Sequence, residues 1–233
     1  TERLVGSEMC IRDRWWYEIR LKSDNFNFGG YGLYGFPLPV IGHNEHIGWG
    51  FTNVMTDDMD FYIESLNEDQ TQYYVDGEWR DLMIEEEELV LKSGSKRKII
   101  IRSTHRGPII SEIHRDAKAL NKAISFRWTE FDAFDETTGL FMLAKAKNWE
   151  DFNEASKLFG APGQNWTYAD KEGNIGWRPS TKIPIRLDAD KLVPFDGTTT
   201  KYDWQGYIPF DEMPFSFNPE KGYVSNGNNK IIG

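Results

Sequence analysis

Cysteine is nearly missing from this sequence: its 233 residues hold one, Cys10, which excludes an internal disulfide and says nothing firm about redox compartment. Basic clusters are missing too. With 27 Lys and Arg against 37 Asp and Glu, the formal charge is -10, and the densest basic run is the short stretch from Ser95 to Lys98. Neutralising nucleic-acid phosphates takes a basic face, so no nucleic-acid partner is expected. No apolar run approaches the ~20 residues that span a bilayer, and no charged segment followed by an apolar core marks a signal peptide; no membrane partner is expected. Zinc motifs are lacking as well. His43 and His46 flank Asn44 and Glu45 in the order HNEH, without the HExxH spacing that sets two histidines on one helical face. What the chain has in quantity is aromatic residues, 15% of the total, enough for a substantial core.

The stretch that organises the rest runs from Ile41 to Glu64, IGHNEHIGWGFTNVMTDDMDFYIE. Gly42 and Asn44 mark a tight turn, and Ile47, Trp49 and Phe51 then alternate with Gly48 and Gly50 as in a strand with one buried face. Two glycines in so short a strand point to close approach of another segment or a ligand. Beyond them Asp57, Asp58, Asp60 and Glu64 gather four carboxylates. These repel one another unless a cation or basic side chains sit among them, and the plain alternative is a solvated acidic turn. An EF-hand is excluded because Ile63 stands where that loop needs glycine.

Along the chain the pattern is mainly β. Trp15, Tyr17, Ile19 and Leu21 alternate with Trp16, Glu18, Arg20 and Lys22, and the glycine- and proline-rich run from Asn27 to Pro39 suggests bends and close backbone approach. Asp76 and Gly77 between Tyr73–Val75 and Trp79 predict a hairpin; residues 88–92 and 98–102 around SerGlySer predict a second, and 165–169 with 175–178 a third. Two helices are expected. One covers Glu136 to Lys147; the other starts behind Asn148 as N-cap and ends at Gly160 and Pro162, with Trp149, Phe152, Ala155 and Phe159 as its core face. A polar loop is expected at Asp196, Gly197 and the threonines after them. The chain reads as α+β, a single domain over 15–233. Residues 1–14, TERLVGSEMCIRDR, stand apart: VGSEMCIRDR looks like a translated sequencing adaptor, a non-native scar that takes Cys10 with it, the alternative being a genuine polar extension.

GHNEHIGWGFTN followed by DDMDFYIE resembles the nucleophile-proximal region of the penicillin acylase family, N-terminal-nucleophile (Ntn) hydrolases that cleave linear amides. RSTHRGPII, FRWTEFD, AKNWEDF, QNWTYADKEGNIGWRP, YIPFDEMP and GYVSNGNNKIIG resemble further family segments in the family's order, so the likeness covers about residues 15–233. It implies a fragment of an αββα sandwich and an acyl-enzyme mechanism. The hydroxyl of the first residue of the mature chain attacks the amide carbonyl, activated by its own α-amine, and the tetrahedral oxyanion needs donors already aimed at it. By motif those donors are the Asn53 backbone N–H, in the WGxT segment, and the Asn228 side-chain amide; without the resemblance, a turn residue and a strand-end cap are the simpler readings.

No nucleophile is assigned. The family's serine lies some way ahead of the WYE strand, with an NDPH stretch between them that is not found here, while Thr1 and Ser7 fall inside the scar, so the chain alone is expected to be inactive. The resemblance further implies a structural calcium ion at a partial site, for which this chain supplies Asp57, the Met59 carbonyl and Asp60, with the Pro194 carbonyl added, while other ligands come from the N-terminal subunit and from beyond Gly233; no organic cofactor is implied. Ile41 and Phe51 would line the acyl pocket, unless they are plain core. It also implies a small N-acyl amide substrate of penicillin, cephalosporin or acyl-homoserine lactone type, the N-terminal subunit of the same autoprocessed precursor as partner, and a periplasmic or secreted location. Two alternatives stand beside it. One is an inactive relative. The other is a non-catalytic β module that binds glycans or peptides through an exposed row made of Trp79, Trp166, Trp177 and Trp204.

Overall fold

The structure is a computed structural model and describes residues 16–132, 134–187, 193–229 and 231. The adaptor-like tail with Thr1, Ser7 and Cys10, and Trp15 of the first strand, lie outside the described residues. The chain divides into two compact units that each draw on separated segments: 1–56 with 133–182 and 209–233, and 57–132 with 183–208.

In the first unit, strands β1 (Trp16–Ser23), β2 (Phe26–Leu33), β3 (Ile41–His43), β4 (Ile47–Asn53), β11 (Gln164–Asp170), β12 (Ile175–Ser180) and β14 (Ser216–Phe217) form one seven-stranded sheet in the order β1-β2-β3-β4-β11-β12-β14. Period-two patterning puts Ile47 and Trp49 of β4 and Trp166 and Tyr168 of β11 on one face, where Tyr168 lies opposite Trp49. Helices α2 (Glu136–Lys145) and α3 (Trp149–Ser156) cover that face with Leu140, Leu143, Trp149, Phe152 and Ala155. Asn148 caps α3 by accepting from the Asp151 N–H at 2.9 Å, and Glu150 and Asp151 complement the positive end of the helix.

Close backbone approach occurs where β2 meets β3. Gly30 lies opposite Gly42, and a Cβ on Gly30 would stand 2.1 Å from the Ile41 carbonyl oxygen. The glycines of β4 behave differently. Around Gly48 and Gly50 the nearest atoms to a built Cβ are 3.9 and 3.4 Å away, ordinary contact, so no segment presses on that backbone; the strand opens instead onto a shallow groove of about 410 Å³ that Thr167, Ala169 and Tyr223 also line.

In the second unit the centre is β5 (Met59–Leu66). Strand β10 (Ala123–Trp128) runs antiparallel along one edge, β13 (Phe195–Asp196) adds in parallel on the other, and β6 (Gln72–Val75) and β7 (Glu78–Asp81) continue the sheet. Asp76 and Gly77 turn the β6–β7 hairpin with φ of 51° and 90°, the left-handed pair a two-residue turn demands. A separate hairpin pairs β8 (Met83–Val90) with β9 (Lys96–Ser103), with exposed cross-strand pairs Glu88–Lys96 and Glu86–Lys98, both at 2.6 Å. The short helix α1 (Arg115–Ala119) had no sequence signal strong enough to predict it. The segment after Asp57 is not a solvated turn. Met59–Leu66 is strand, and Asp60 and Glu64 are buried at 3% and 5% exposure.

Candidate active site

At the C-terminal end of β4 three of the sequence-derived site residues meet, Phe51, Asn53 and Asn228. Pairing with β11 sets Gln164 opposite Asn53, Asn165 opposite Thr52 and Trp166 opposite Phe51. The carbonyl of Asn53 accepts two side-chain amides: Asn228 Nδ2 at 2.8 Å and Asn165 Nδ2 at 3.2 Å. Asn165 is fully buried, and its Oδ1 accepts the Trp177 indole N–H at 3.1 Å, which fixes which way the carboxamide faces. One residue earlier, the Thr52 hydroxyl donates to Asn226 Oδ1. Asn228 is exposed with φ of 58°, a left-handed conformation that asparagine tolerates better than most residues. Three carboxamides, Asn165, Asn226 and Asn228, thus gather at one strand end. Sequence reasoning had found Asn53 and Asn228. It did not single out Asn165 or Asn226, although both sit in segments of the family likeness, and it named Trp177 only as part of an exposed binding row.

Phe51 is half-buried, its ring 5.1 Å from that of Trp166 and 6.4 Å from that of the exposed Trp16; it packs against the core under the sheet. Ile41 is half-buried on β3 opposite Tyr31. Of the four tryptophans that would form a binding row, Trp166 is fully buried, Trp177 and Trp204 are half-buried with their indoles hydrogen-bonded to Asn165 and Asp60, and Trp79 is exposed at 50% with its ring edge on Tyr74.

The acids lie in the second unit, and each buried one has a guanidinium. Arg186 donates from Nε to Asp60 Oδ2 at 2.7 Å and from Nη1 to the Asp57 carbonyl at 3.0 Å, with Nη2 3.5 Å from Asp57 Oδ1. The Trp204 indole N–H donates to the same Asp60 oxygen. Burial raises the Asp60 carboxyl above its usual range, against the pull of Arg186 and Trp204. Burial also raises Asp58. Glu64 receives Arg106 Nη1 at 3.0 and 3.2 Å and the Ser125 hydroxyl at 2.6 Å. Arg106 also reaches Asp203 and the carbonyls of Gly197 and Thr199, and despite burial its charge is held firmly by Glu64 and Asp203. Pro194 is exposed and immediately precedes β13, whose Phe195 faces Tyr62 of β5. A calcium shell takes six or more oxygens at about 2.3–2.6 Å. Arg186 occupies one oxygen of Asp60 and sets its charge 3.5 Å from Asp57 Oδ1, and the described residues contain no cluster of three or more His, Cys, Asp or Glu placed to hold a metal. As arranged, these residues do not fit the ion.

A strand-rich α+β sheet with a carboxamide corner at the end of a glycine-containing strand is the class of protein in hand. A family model described as penicillin amidase matches residues 12–233, and the chain belongs to that family. It is similar to the penicillin G acylase of Escherichia coli, at 32% identity over 91% of this chain and 25% of that protein. It is similar also to the acyl-homoserine lactone acylase QuiP of Pseudomonas aeruginosa, at 26% identity over 93% of this chain and 27% of the relative. Among solved structures, the thermostable penicillin G acylase from Alcaligenes faecalis superposes with a TM-score of 0.84 at 30% identity, covering 95% of this chain and 40% of that one. The chain therefore spans about a quarter of the length of these curated relatives.

Proposed function

We propose that this chain is part of an amidohydrolase that cleaves the linear amide of N-acyl substrates through an acyl-enzyme, and that the strand end at Asn53 is its oxyanion corner. The observation that carries the reading is the Asn228 amide. One of its hydrogens is anchored on the Asn53 carbonyl at 2.8 Å, and its second is the donor offered to a tetrahedral oxyanion, beside the Asn53 backbone N–H. Attack by a hydroxyl would transfer the acyl group to oxygen and release the amine, and water would then release the acid. No residue of this chain is assigned as nucleophile.

The proposed substrate class is supported by the names of the relatives, which refer to penicillin G and to acyl-homoserine lactones. Ile41 and Phe51 at the same end of the sheet suit an apolar acyl group, and the partner is the rest of the same precursor. In an active enzyme carrying this sequence, Asn228→Ala is expected to lower kcat on penicillin G or an N-acyl-homoserine lactone by about 100-fold, the scale for losing one oxyanion donor. Asn53→Ala should do much less, because its proposed donor is backbone. If kcat is unchanged in both variants, the corner is not the oxyanion site.

A further inference from the structure

We infer that the Arg186 guanidinium is the resident cation of the Asp57–Asp60 corner, and that this chain holds the corner together without a calcium ion. Four observations converge. Both charged partners are buried, Arg186 at 4% and Asp60 at 3% side-chain exposure, so neither charge is answered by bulk water. The guanidinium donates to two acceptors, Asp60 Oδ2 at 2.7 Å and the Asp57 carbonyl at 3.0 Å, and its Nη2 lies 3.5 Å from the Asp57 carboxylate as an ion pair. Both carboxylates an ion would need thus already face a fixed positive charge, and a second cation placed between them would be repelled by it. The Trp204 indole donates to the same Asp60 oxygen, and the Arg186 guanidinium lies 5.5 Å from that ring's centroid, which fixes the arginine from a second side.

The planar fork matters as well as the charge. A guanidinium donates along fixed directions from three nitrogens, so it can tie a carboxylate on β5 to the backbone carbonyl three residues earlier. An ammonium is a single compact point. The arginine is covalently part of the chain, so the corner closes whatever the metal content of the medium.

The inference concerns the second unit alone and does not rest on the amidase reading. The test is thermal unfolding of the full chain with millimolar calcium, with chelator, and with neither. The expected result is one melting temperature in all three. A rise with calcium, or a fall with chelator, overturns the proposal. Two variants then separate charge from shape. Arg186→Met removes the cation at similar length and should lower the melting temperature most, or prevent folding altogether. Arg186→Lys keeps the charge but loses the fork, and should fall between Arg186→Met and wild type. A lysine variant equal to wild type would show that the fork is dispensable and an arginine-specific site does not exist. Equal stability of the methionine variant and wild type would show that the corner needs no resident cation.

Discussion

Asn165 lies at the centre of the carboxamide corner, fully buried, accepting from Trp177 and donating to the Asn53 carbonyl. Replacing it by leucine keeps the volume but strands a half-buried indole N–H and leaves Asn53 with one amide donor. Asn165→Leu is expected to cost about 1–3 kcal/mol, the penalty for orphaned polar groups, read as a lower urea midpoint with an unchanged slope. Asn165→Asp should be no better, because it preserves the acceptor for Trp177 but turns a carboxylate oxygen toward the Asn53 carbonyl. Residues of this kind are hard to see in a sequence. Asn53 and Asn228 are legible through motif resemblance, whereas Asn165 alternates with Trp166 in a strand and is indistinguishable there from any outward polar residue. Its inward orientation is set by Trp177, twelve residues on across a hairpin. The same limit applied to the acids. Composition predicted that basic side chains or a cation must sit among them, and basic side chains do, but nothing local points from Asp60 to Arg186 or from Glu64 to Arg106.

At the scale of elements the chain was more readable, since hairpins and capped helices carry their signals within a few residues. The three predicted hairpins form as β6–β7, β8–β9 and β11–β12, and Asn148 caps α3 as expected. Asn148→Ala should cost about 0.5–2 kcal/mol by loss of that cap, measurable as a drop in melting temperature. Asn44 was read only as a turn residue, and it does more. Its Oδ1 accepts the N–H groups of His46 and Ile47 at 2.7 and 2.9 Å. Its Nδ2 donates to the carbonyls of Ala144 and Ala146 at 3.2 and 2.7 Å, closing the C-terminal end of α2 from about a hundred residues away. Asn44→Asp keeps the turn but sets a carboxylate against the negative end of a helix. It should therefore be more destabilising than Asn44→Ser, a ranking that thermal unfolding of the two variants decides. The glycines of β4 carried an ambiguous signal, since a segment or a ligand could answer it and no segment does. Glycine reports that a side chain is missing without telling whether a neighbour or open space takes its place, and here the close approach belongs to Gly30 and Gly42 instead.

For the molecule as a whole, acid stability is the readable consequence of its charge pattern. Asp76 and Asp196 are held below the usual carboxylate value of 3.8 by the hydroxyl and backbone N–H of Thr200 and Thr198 respectively. Burial pushes Asp170 and Asp203 up, but Asn174 and Tyr168 in the one case, and His105 and Arg106 in the other, outweigh it and bring both down. A carboxyl depressed on folding stabilises the native state above its unfolded pKa and loses that contribution as pH falls through the folded value. These four carboxyls should therefore make stability decline progressively as pH falls below about 4, with Asp203→Asn flattening part of that decline, while Asp58 and Asp60, raised by burial, contribute in the opposite sense as they protonate. Urea midpoints across that range provide the check. The interleaving of the two units also imposes an order of events during synthesis. Arg186 follows Asp60 by 126 residues and Arg106 follows Glu64 by 42, so on the ribosome both buried carboxylates precede the guanidinium that neutralises them. At about 5–20 residues per second, Asp60 waits roughly 6–25 s for its guanidinium. Throughout that interval β5 is a nascent strand carrying an uncompensated inward-facing acid, and it stays hydrated and unpaired until the chain delivers its counter-charge.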